Sequence, residues 1–287
     1  MSLSIWIEAT RPKTLPAAAA PVLVGTALAA GRDALHLPSA LLALLGALLI
    51  QVGTNYANDY FDFVSGADNE DRLGPRRATQ AGLVSPKAMR RAFVLVFATA
   101  IAVGVLLVAR AGWPIVLIGL ASVISGLLYT GGPFPLGYHG LGDVFVWLFF
   151  GPVAVAGSAY VQTLELGRED LWIGAAFGLV ATAILVVNNL RDAETDAPAG
   201  KRTLAVRFGK RFARVQYALC LSVALLLPLA FAEARPWLLL LLLLFPPAVF
   251  LSKRVATLDG AALNPLLGAT GKFLIAFAVL FSGGWLL

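Results

Sequence analysis

Two clusters of acidic and amide side chains stand out in an otherwise apolar chain of 287 residues. The first cluster consists of Asn55, Asn58, Asp59 and Asp62. The second cluster consists of Asn188, Asp192 and Asp196. Residues three or four positions apart lie on one face of an α-helix, so each cluster predicts a polar stripe on its helix.

These stripes favour a bound cation. Carboxylates four residues apart on a helix repel each other, and carboxylates near a helix C-terminus also oppose its dipole. Neither cluster contains a histidine or cysteine, and ligand sets made only of oxygen select hard cations such as Mg²⁺. The alternative to a cation site is that these acids only solvate the two helix ends. Ionisable groups at membrane depth nevertheless indicate function.

Basic residues beside the clusters predict a phosphorylated substrate. Bridging metal ions would reverse the repulsion between the aspartates and a phosphate group. Nearby cations could then contact the outer phosphate oxygens directly. The candidates for this role are Arg76, Arg77, Arg191 and Lys201.

The composition identifies an integral membrane protein. The chain is 59% hydrophobic and 13% charged with a mean hydropathy of +0.82, whereas soluble chains carry about 25% charged residues. Cys220 is the single cysteine, which excludes a disulfide framework and a cysteine-based zinc site. The net charge of +6 is read loop by loop in such a chain, so we predict a lipid bilayer and no nucleic acid as partner, and leave the oligomeric state open.

The apolar runs predict nine spanning helices, since each span needs about 20 apolar residues. They lie near 15–31, 37–57, 92–109, 113–130, 141–160, 171–190, 213–232, 236–252 and 268–287. We expect a single polytopic membrane domain over residues 1–287, with aspartate-rich inner loops at about 55–91 and 188–212. Trp6 and Ile7 predict a short helix at the membrane interface rather than a removable signal peptide.

Most lysine and arginine residues fall on one side of this topology. That side contains the N-terminus and both acidic clusters, so the positive-inside rule places the N-terminus in the cytoplasm and the C-terminus outside. The expected location is the plasma (inner) membrane of a prokaryote.

Four motifs resemble those of a known enzyme superfamily. They are Arg11-Pro-Lys-Thr-Leu-Pro16, the first cluster extended to Gly66 and Asp68, the segment from Tyr129 to Asp143, and Asn188-Asn189-x-Arg191-Asp192 continued to Lys201-x-Thr203. In this order they resemble the UbiA superfamily of intramembrane aromatic prenyltransferases. The variant in which Gly66 takes the last acidic position and Asp68 follows is most similar to the 1,4-dihydroxy-2-naphthoate polyprenyltransferase (MenA) family.

The resemblance implies an all-α bundle of nine transmembrane helices around a central cavity. It implies Mg²⁺-dependent transfer of a polyprenyl group from polyprenyl diphosphate to 1,4-dihydroxy-2-naphthoate, with decarboxylation, giving demethylmenaquinone for menaquinone biosynthesis. Asp59 and Asp62 would hold one metal and Asp192 and Asp196 the other. The supporting oxygen or amide contacts would be Asn55, Asn58 and Asn188.

The resemblance also implies substrate contacts. Lys201, Arg76, Arg77 and Arg191 are the expected diphosphate contacts, with Lys201 counted as catalytic and Asp68 as substrate-binding. Aromatic faces stabilise cations, and the candidates beside an allylic cation are Tyr56, Tyr60, Tyr129, Phe134 and Tyr138; an interfacial aromatic belt is the alternative. Arg11 and Lys13 either hold the naphthoate carboxylate or anchor the chain, and His139 is either a proton-transfer group or structural.

Other functions fit the sequence less well. Another branch of the superfamily would use 4-hydroxybenzoate, homogentisate or a haem precursor, and the spacing at Gly66 and Asp68 argues against it. An ion-coupled transporter would place its acids nearer the middle of the spans. A CDP-alcohol phosphotransferase would need an Asp-Gly-x-x-Ala-Arg motif, which this sequence lacks.

Overall fold

The computed structural model describes residues 2–67 and 73–287. These residues form α-helices joined by short 3-10 and π-helical turns, and they contain no strand. The helices are α1 Leu3–Ala9, α2 Leu15–Ala30, α3 Leu37–Val64, α4 Pro86–Ala111, α5 Trp113–Leu128, α6 Gly142–Leu148, α7 Ala154–Thr163, α8 Arg168–Asp196, α9 Leu204–Leu226, α10 Phe245–Thr257 and α11 Asn264–Leu286.

The predicted nine-span membrane bundle is confirmed. Within the described ranges, eight helical segments are long and apolar enough to cross a membrane, and α5 is a shorter ninth. Helices α6 and α7 form one span through a π-helical turn at Phe149–Val153, and the 3-10 segment Pro236–Leu244 continues into α10 as another. Helix α1 is the short helix predicted around Trp6 and Ile7, and it exposes Leu3 and Ile7.

Both acidic clusters lie on helices, as their spacing predicted, so the connections that follow are shorter than the expected inner loops of about 55–91 and 188–212. Helix α3 continues to Val64 and helix α8 to Asp196, beyond the apolar runs that predicted ends at 57 and 190. The polar turns stay helical because their carboxylates and amides find partners inside the protein, as described below. The second connection is therefore only residues 197–203.

Both acidic helices end in the same glycine turn. Gly66 and Gly200 have φ angles of +73° and +77°, in the left-handed region that glycine adopts without steric cost. The next residue then donates its N–H to the carbonyl of the aspartate five residues earlier, Ala67 to Asp62 at 2.9 Å and Lys201 to Asp196 at 3.0 Å. Glycine suits this turn because it adopts a positive φ without steric cost.

Two helices bend where the sequence interrupts them. Gly151 has non-helical angles before Pro152, within the span formed by α6 and α7. Helix α9 begins at Leu204 but kinks at Gly209, so its membrane segment starts close to the predicted residue 213.

Helix α8 lies at the centre of the bundle. It is the most buried candidate span in the described part of the chain, with 72% of its apolar window inside the protein. It packs most extensively on α9 and also on α6, α7 and α11, and the ring of Phe177 stacks on Phe277 with centroids 4.3 Å apart. Helix α3, which carries the first acidic cluster, packs mainly on α4. The two acidic clusters therefore sit on the inner walls of adjoining helix groups.

Candidate active site

A cavity of about 830 Å³ lies between the helices, and residues from α2 to α8 and the first turn of α11 line it. Alanine, glycine and branched side chains such as Gly104, Val108 and Gly119 form its apolar wall. Every predicted metal ligand and charged substrate contact in the described ranges lines its polar end, together with two of the predicted aromatic residues: Arg11, Lys13, Asn55, Asn58, Asp59, Asp62, Arg76, Arg77, Tyr129, Tyr138, Asn188, Arg191, Asp192, Asp196 and Lys201. Asp68, the remaining predicted residue, lies outside the described residues.

Asp59 holds the connection after α3 against the helix. Its carboxylate accepts the backbone N–H of Thr79 at 2.9 Å and that of Ala78 at 3.0 Å, and only 2% of the residue is exposed. These two bonds satisfy buried backbone donors that would otherwise be costly. The same turn brings the neighbouring residue Arg77 over the acidic stripe.

Asp62 is the most heavily contacted acid of the first cluster. Its Oδ1 accepts the hydroxyl of Tyr138 at 2.9 Å and lies 3.3 Å from Lys201 Nζ, and its Oδ2 accepts from Arg77 Nη2 at 3.1 Å. Two cations and one neutral donor thus surround a buried carboxylate. The contact with Lys201 links the two clusters, because Lys201 lies in the short connection after the second acidic helix.

The second cluster is organised by Arg191, whose side chain is fully buried. Its guanidinium donates to both oxygens of Asp192, at 2.7 Å and 2.5 Å, and to Asn188 Oδ1 at 2.7 Å. A third partner is Asn264 Oδ1 at 2.9 Å. Arg191 therefore fixes the carboxylate beside it, and its predicted contact with a diphosphate stays a prediction.

The segment between α5 and α6 joins the two clusters through Tyr138. The Tyr138 hydroxyl reaches Asp62, while Lys201 Nζ lies 4.9 Å from the centre of the Tyr138 ring. The Tyr138 carbonyl accepts the N–H of Arg202 at 2.8 Å, and Arg207 donates to the carbonyl of His139. These contacts hold the ends of α3 and α8 at one polar mouth, as the paired stripes predicted.

The three predicted asparagines tie elements together around the acids. Asn55 Nδ2 donates to the carbonyl of Thr10 at 2.8 Å and so fixes the turn after α1. Asn58 Oδ1 accepts from Thr130 at 2.8 Å, and Asn188 Oδ1 accepts from Arg191. In each of these contacts, one amide atom of the asparagine is hydrogen-bonded to another group of the protein.

The remaining cations lie around the cavity rim. Arg76 is exposed beside the buried Arg77. Arg11 and Lys13 lie on the turn before α2, where Arg11 has a φ of 53°. This left-handed conformation is uncommon for a residue with a Cβ atom. Together these residues surround the polar mouth with positive charge from a different part of the chain.

Two of the five predicted aromatic residues line the cavity, Tyr129 and Tyr138. Tyr56, Tyr60 and Phe134 do not, and His139 stacks on Phe134 with ring centroids 3.7 Å apart. Desolvation, together with the charges of nearby aspartates, raises the pKa of the Tyr129 phenol above its usual value of 10, so it stays protonated near neutral pH. The phenylalanines Phe145, Phe149 and Phe150 also line the cavity.

The donor set of the polar end suits a hard cation. Its lining contains carboxylate, amide and hydroxyl oxygens and no histidine or cysteine in the described residues. Within the same ranges, no group of three or more acidic, histidine or cysteine side chains is close enough to form a protein cage for a metal. Mg²⁺ commonly uses one or two carboxylates and completes its shell with water and substrate phosphate, so the residues fit that ion.

Several residues of the polar end were missed by the sequence interpretation. They are Gln51, Thr130, Asn189, Thr203 and Asn264, all of which line the cavity. Asn264 had the clearest signal, because an asparagine followed by proline before an apolar run is a typical helix start.

The sequence is similar to that of several curated proteins over nearly its whole length. A model of the UbiA prenyltransferase family matches residues 18–267. A protein of Escherichia coli (strain K12) named 1,4-dihydroxy-2-naphthoate octaprenyltransferase is 40% identical over 287 residues, covering 96% of this chain and 93% of the relative. A Mycobacterium tuberculosis (strain ATCC 25618 / H37Rv) protein with the same name is 38% identical, covering 98% of this chain and 97% of the relative.

Solved structures share the fold at low sequence identity. A UbiA homolog from Archaeoglobus fulgidus bound to DMAPP and Mg²⁺ matches with a TM-score of 0.70 at 15% identity, covering 97% of this chain and 99% of that one. The apo structure of a UbiA homolog from Aeropyrum pernix K1 also gives a TM-score of 0.70, at 17% identity, covering 94% and 96% of the two chains.

Proposed function

The chain belongs to the UbiA prenyltransferase family and is an integral membrane prenyltransferase, and we propose that it transfers a polyprenyl group from polyprenyl diphosphate to 1,4-dihydroxy-2-naphthoate. The allylic C–O bond of the donor breaks and a C–C bond to the ring forms. The ring loses its carboxyl group as carbon dioxide, and pyrophosphate leaves. The immediate product is the hydroquinone, demethylmenaquinol, and its two-electron oxidation after release, outside this reaction, gives demethylmenaquinone, an intermediate of menaquinone biosynthesis.

The contact between Lys201 and Asp62 carries the proposal. Its 3.3 Å separation brings the ends of α3 and α8 to one point at the mouth of an apolar cavity. A diphosphate at that point would have both acidic clusters within reach, and the cavity behind it suits a long hydrocarbon chain. The names of the full-length relatives support the naphthoate acceptor.

We assign Asp59 and Asp62 to one Mg²⁺ and Asp192 and Asp196 to a second, with Asn55, Asn58 and Asn188 supporting them. The ions would supply Lewis acidity toward the diphosphate oxygens. Asp59 and Asp192 already have protein partners, so binding would add to or exchange those contacts.

Four basic side chains are proposed as diphosphate contacts: Arg76, Arg77, Arg191 and Lys201. Lys201 and Arg77 now pair with Asp62, and Arg76 is exposed beside them. When a diphosphate enters, the positive charge of Lys201 and Arg77 would stabilise the negative charge that develops on the leaving group. Preorganised charges of this kind cost no reorganisation during the reaction.

The apolar cavity would protect the allylic cation from water. Tyr129 and Tyr138 present aromatic faces near the acidic helix ends, and aromatic faces attract cations. No protein nucleophile is required, because the electron-rich ring attacks the allylic carbon. Arg11 and Lys13 are proposed to hold the naphthoate carboxylate.

The proposed orientation places the N-terminus in the cytoplasm and the C-terminus outside, in the inner membrane of a prokaryote. The positive-inside rule supports it, because the acidic helix ends share their side with most lysine and arginine residues. The diphosphate would then be bound from the cytoplasmic side.

Mass spectrometry of the product tests the acceptor. Purified protein is incubated with Mg²⁺, a polyprenyl diphosphate and either dihydroxynaphthoate or 4-hydroxybenzoate. We expect demethylmenaquinone from the first acceptor and, per unit time, at least about 100-fold less product from the second, since a site built for one set of polar groups rejects analogues that leave them unpaired. Preferential prenylation of 4-hydroxybenzoate would assign the chain to another branch of the family.

A further inference from the structure

Asn264 connects the second acidic cluster to the segment that follows the first. It is the first residue of α11, far in sequence from both clusters. Its Oδ1 accepts from Arg191 Nη1 at 2.9 Å, and its Nδ2 donates to the carbonyl of Leu73 at 3.1 Å. One amide group therefore uses its acceptor on α8 and its donor on the connection between α3 and α4.

The contact with Arg191 constrains Asp192. The Arg191 side chain is fully buried, and its other partners in the described structure are Asp192 and Asn188 on its own helix. A guanidinium is a rigid fork, so fixing Nη1 on Asn264 also fixes the direction in which Nε and Nη2 present themselves to Asp192. Asn264 is the partner that lies outside α8.

The contact with Leu73 constrains the other cluster. Leu73 precedes Arg77 by four residues, and Arg77 pairs with Asp62 while Ala78 and Thr79 donate to Asp59. Leu73 Cδ1 also lies 3.7 Å from the position a Cβ atom would take at Gly260, in the turn before α11. The start of α11 thus supports both ends of the site.

We propose that Asn264 is a positioning residue for the metal–diphosphate site, an inference that rests on the proposed function. It sets the orientation of Arg191, and through it the carboxylate of Asp192, while it holds the connection that carries Arg77. Its own amide need not contact substrate. Supporting partners of metal-binding carboxylates commonly change metal affinity 10- to 100-fold when they are removed.

The test compares variants by their equilibrium binding of pyrophosphate in the presence of Mg²⁺, measured by calorimetry on the purified full-length protein. Asn264→Leu keeps the number and branching of the side-chain heavy atoms and removes both hydrogen bonds, so we expect at least about tenfold weaker binding. We also expect kcat to fall with the KM for dihydroxynaphthoate changed less than about twofold. Thr257→Val, an exposed and nearly isosteric change at the end of α10, is the matched control and should bind like wild type.

Asn264→Asp separates positioning from general loss of structure. It keeps an oxygen that accepts from Arg191 and loses only the bond that the amide donates to the Leu73 carbonyl, whereas Asn264→Leu loses both bonds. Its added negative charge would by itself weaken anion binding. We expect the aspartate variant to bind pyrophosphate within about threefold of wild type and clearly more tightly than Asn264→Leu. Tighter pyrophosphate binding by the aspartate variant than by the leucine variant would be opposite to the weakening expected from the added negative charge.

Three results would overturn the inference. They are wild-type binding by folded Asn264→Leu, equal weakening by the leucine and aspartate variants, or at least tenfold weaker binding by Asn264→Asp if the leucine variant does not fold. Failure of the proposed function itself is seen separately, as absence of prenylated naphthoate from wild-type protein.

Discussion

Asp192→Asn is expected to lower turnover at least about 100-fold, the loss seen when one preorganised electrostatic contact to a developing charge is removed. The substitution preserves shape and leaves an oxygen that can accept from Arg191, so the buried guanidinium keeps a partner. What it removes is the negative charge that a metal ligand needs. Turnover is measured in detergent as pyrophosphate released per minute, and a thermal melt confirms that the variant is folded.

Glu194→Gln is the matched control for this change. Glu194 lies on the same helix, but it is outside the cavity lining and pairs with Lys210 on the exposed face. It should retain wild-type turnover.

Asp59→Asn is expected to remove activity as well, by loss of charge and because the new amide cannot accept both backbone N–H groups as the carboxylate does. Near wild-type turnover by Asp192→Asn would refute the metal assignment.

Chelation of divalent cations is expected to reduce turnover to the background rate. The aspartates at the mouth of the cavity would repel a diphosphate in the absence of a bridging cation. Added Mg²⁺ should restore the rate, and Ca²⁺ should restore less, because it favours larger and less regular coordination shells. Turnover is followed while EDTA is titrated and then back-titrated with Mg²⁺.

A control with EDTA already saturated with Mg²⁺ separates chelation from any direct effect of EDTA on the protein. That mixture should leave the rate unchanged. Undiminished turnover in excess free chelator would contradict the metal-dependent mechanism.

Residue spacing was sufficient to predict which side chains share one face of a helix. Helical periodicity placed Asn55, Asn58, Asp59 and Asp62 on one face, and the structure brings that face to the cavity. Hydropathy predicted the spans because the membrane requires long apolar helices. It underestimated α3 and α8, because their last turns are polar and are stabilised by contacts that lie elsewhere in the chain.

The partners of those side chains could not be predicted from spacing. The backbone donors of Ala78 and Thr79 to Asp59 depend on how a connection folds, and backbone groups carry no sequence signal. The spacing of the basic residues also did not predict which of them are buried. Arg191 is buried, and its guanidinium donates to Asp192, Asn188 and Asn264. Contacts between residues so distant in sequence follow from helix packing.

The central claim is that the ends of α3 and α8 act together on one diphosphate. It is tested most directly by calorimetric titration of pyrophosphate, with Mg²⁺ present, into wild type and into one variant from each end, Asp62→Asn and Asp192→Asn. We expect one pyrophosphate per chain for wild type and at least about tenfold weaker binding for both variants, with Glu194→Gln unchanged. Wild-type affinity in either aspartate variant would show that the two helix ends do not share one anion, and would contradict the account.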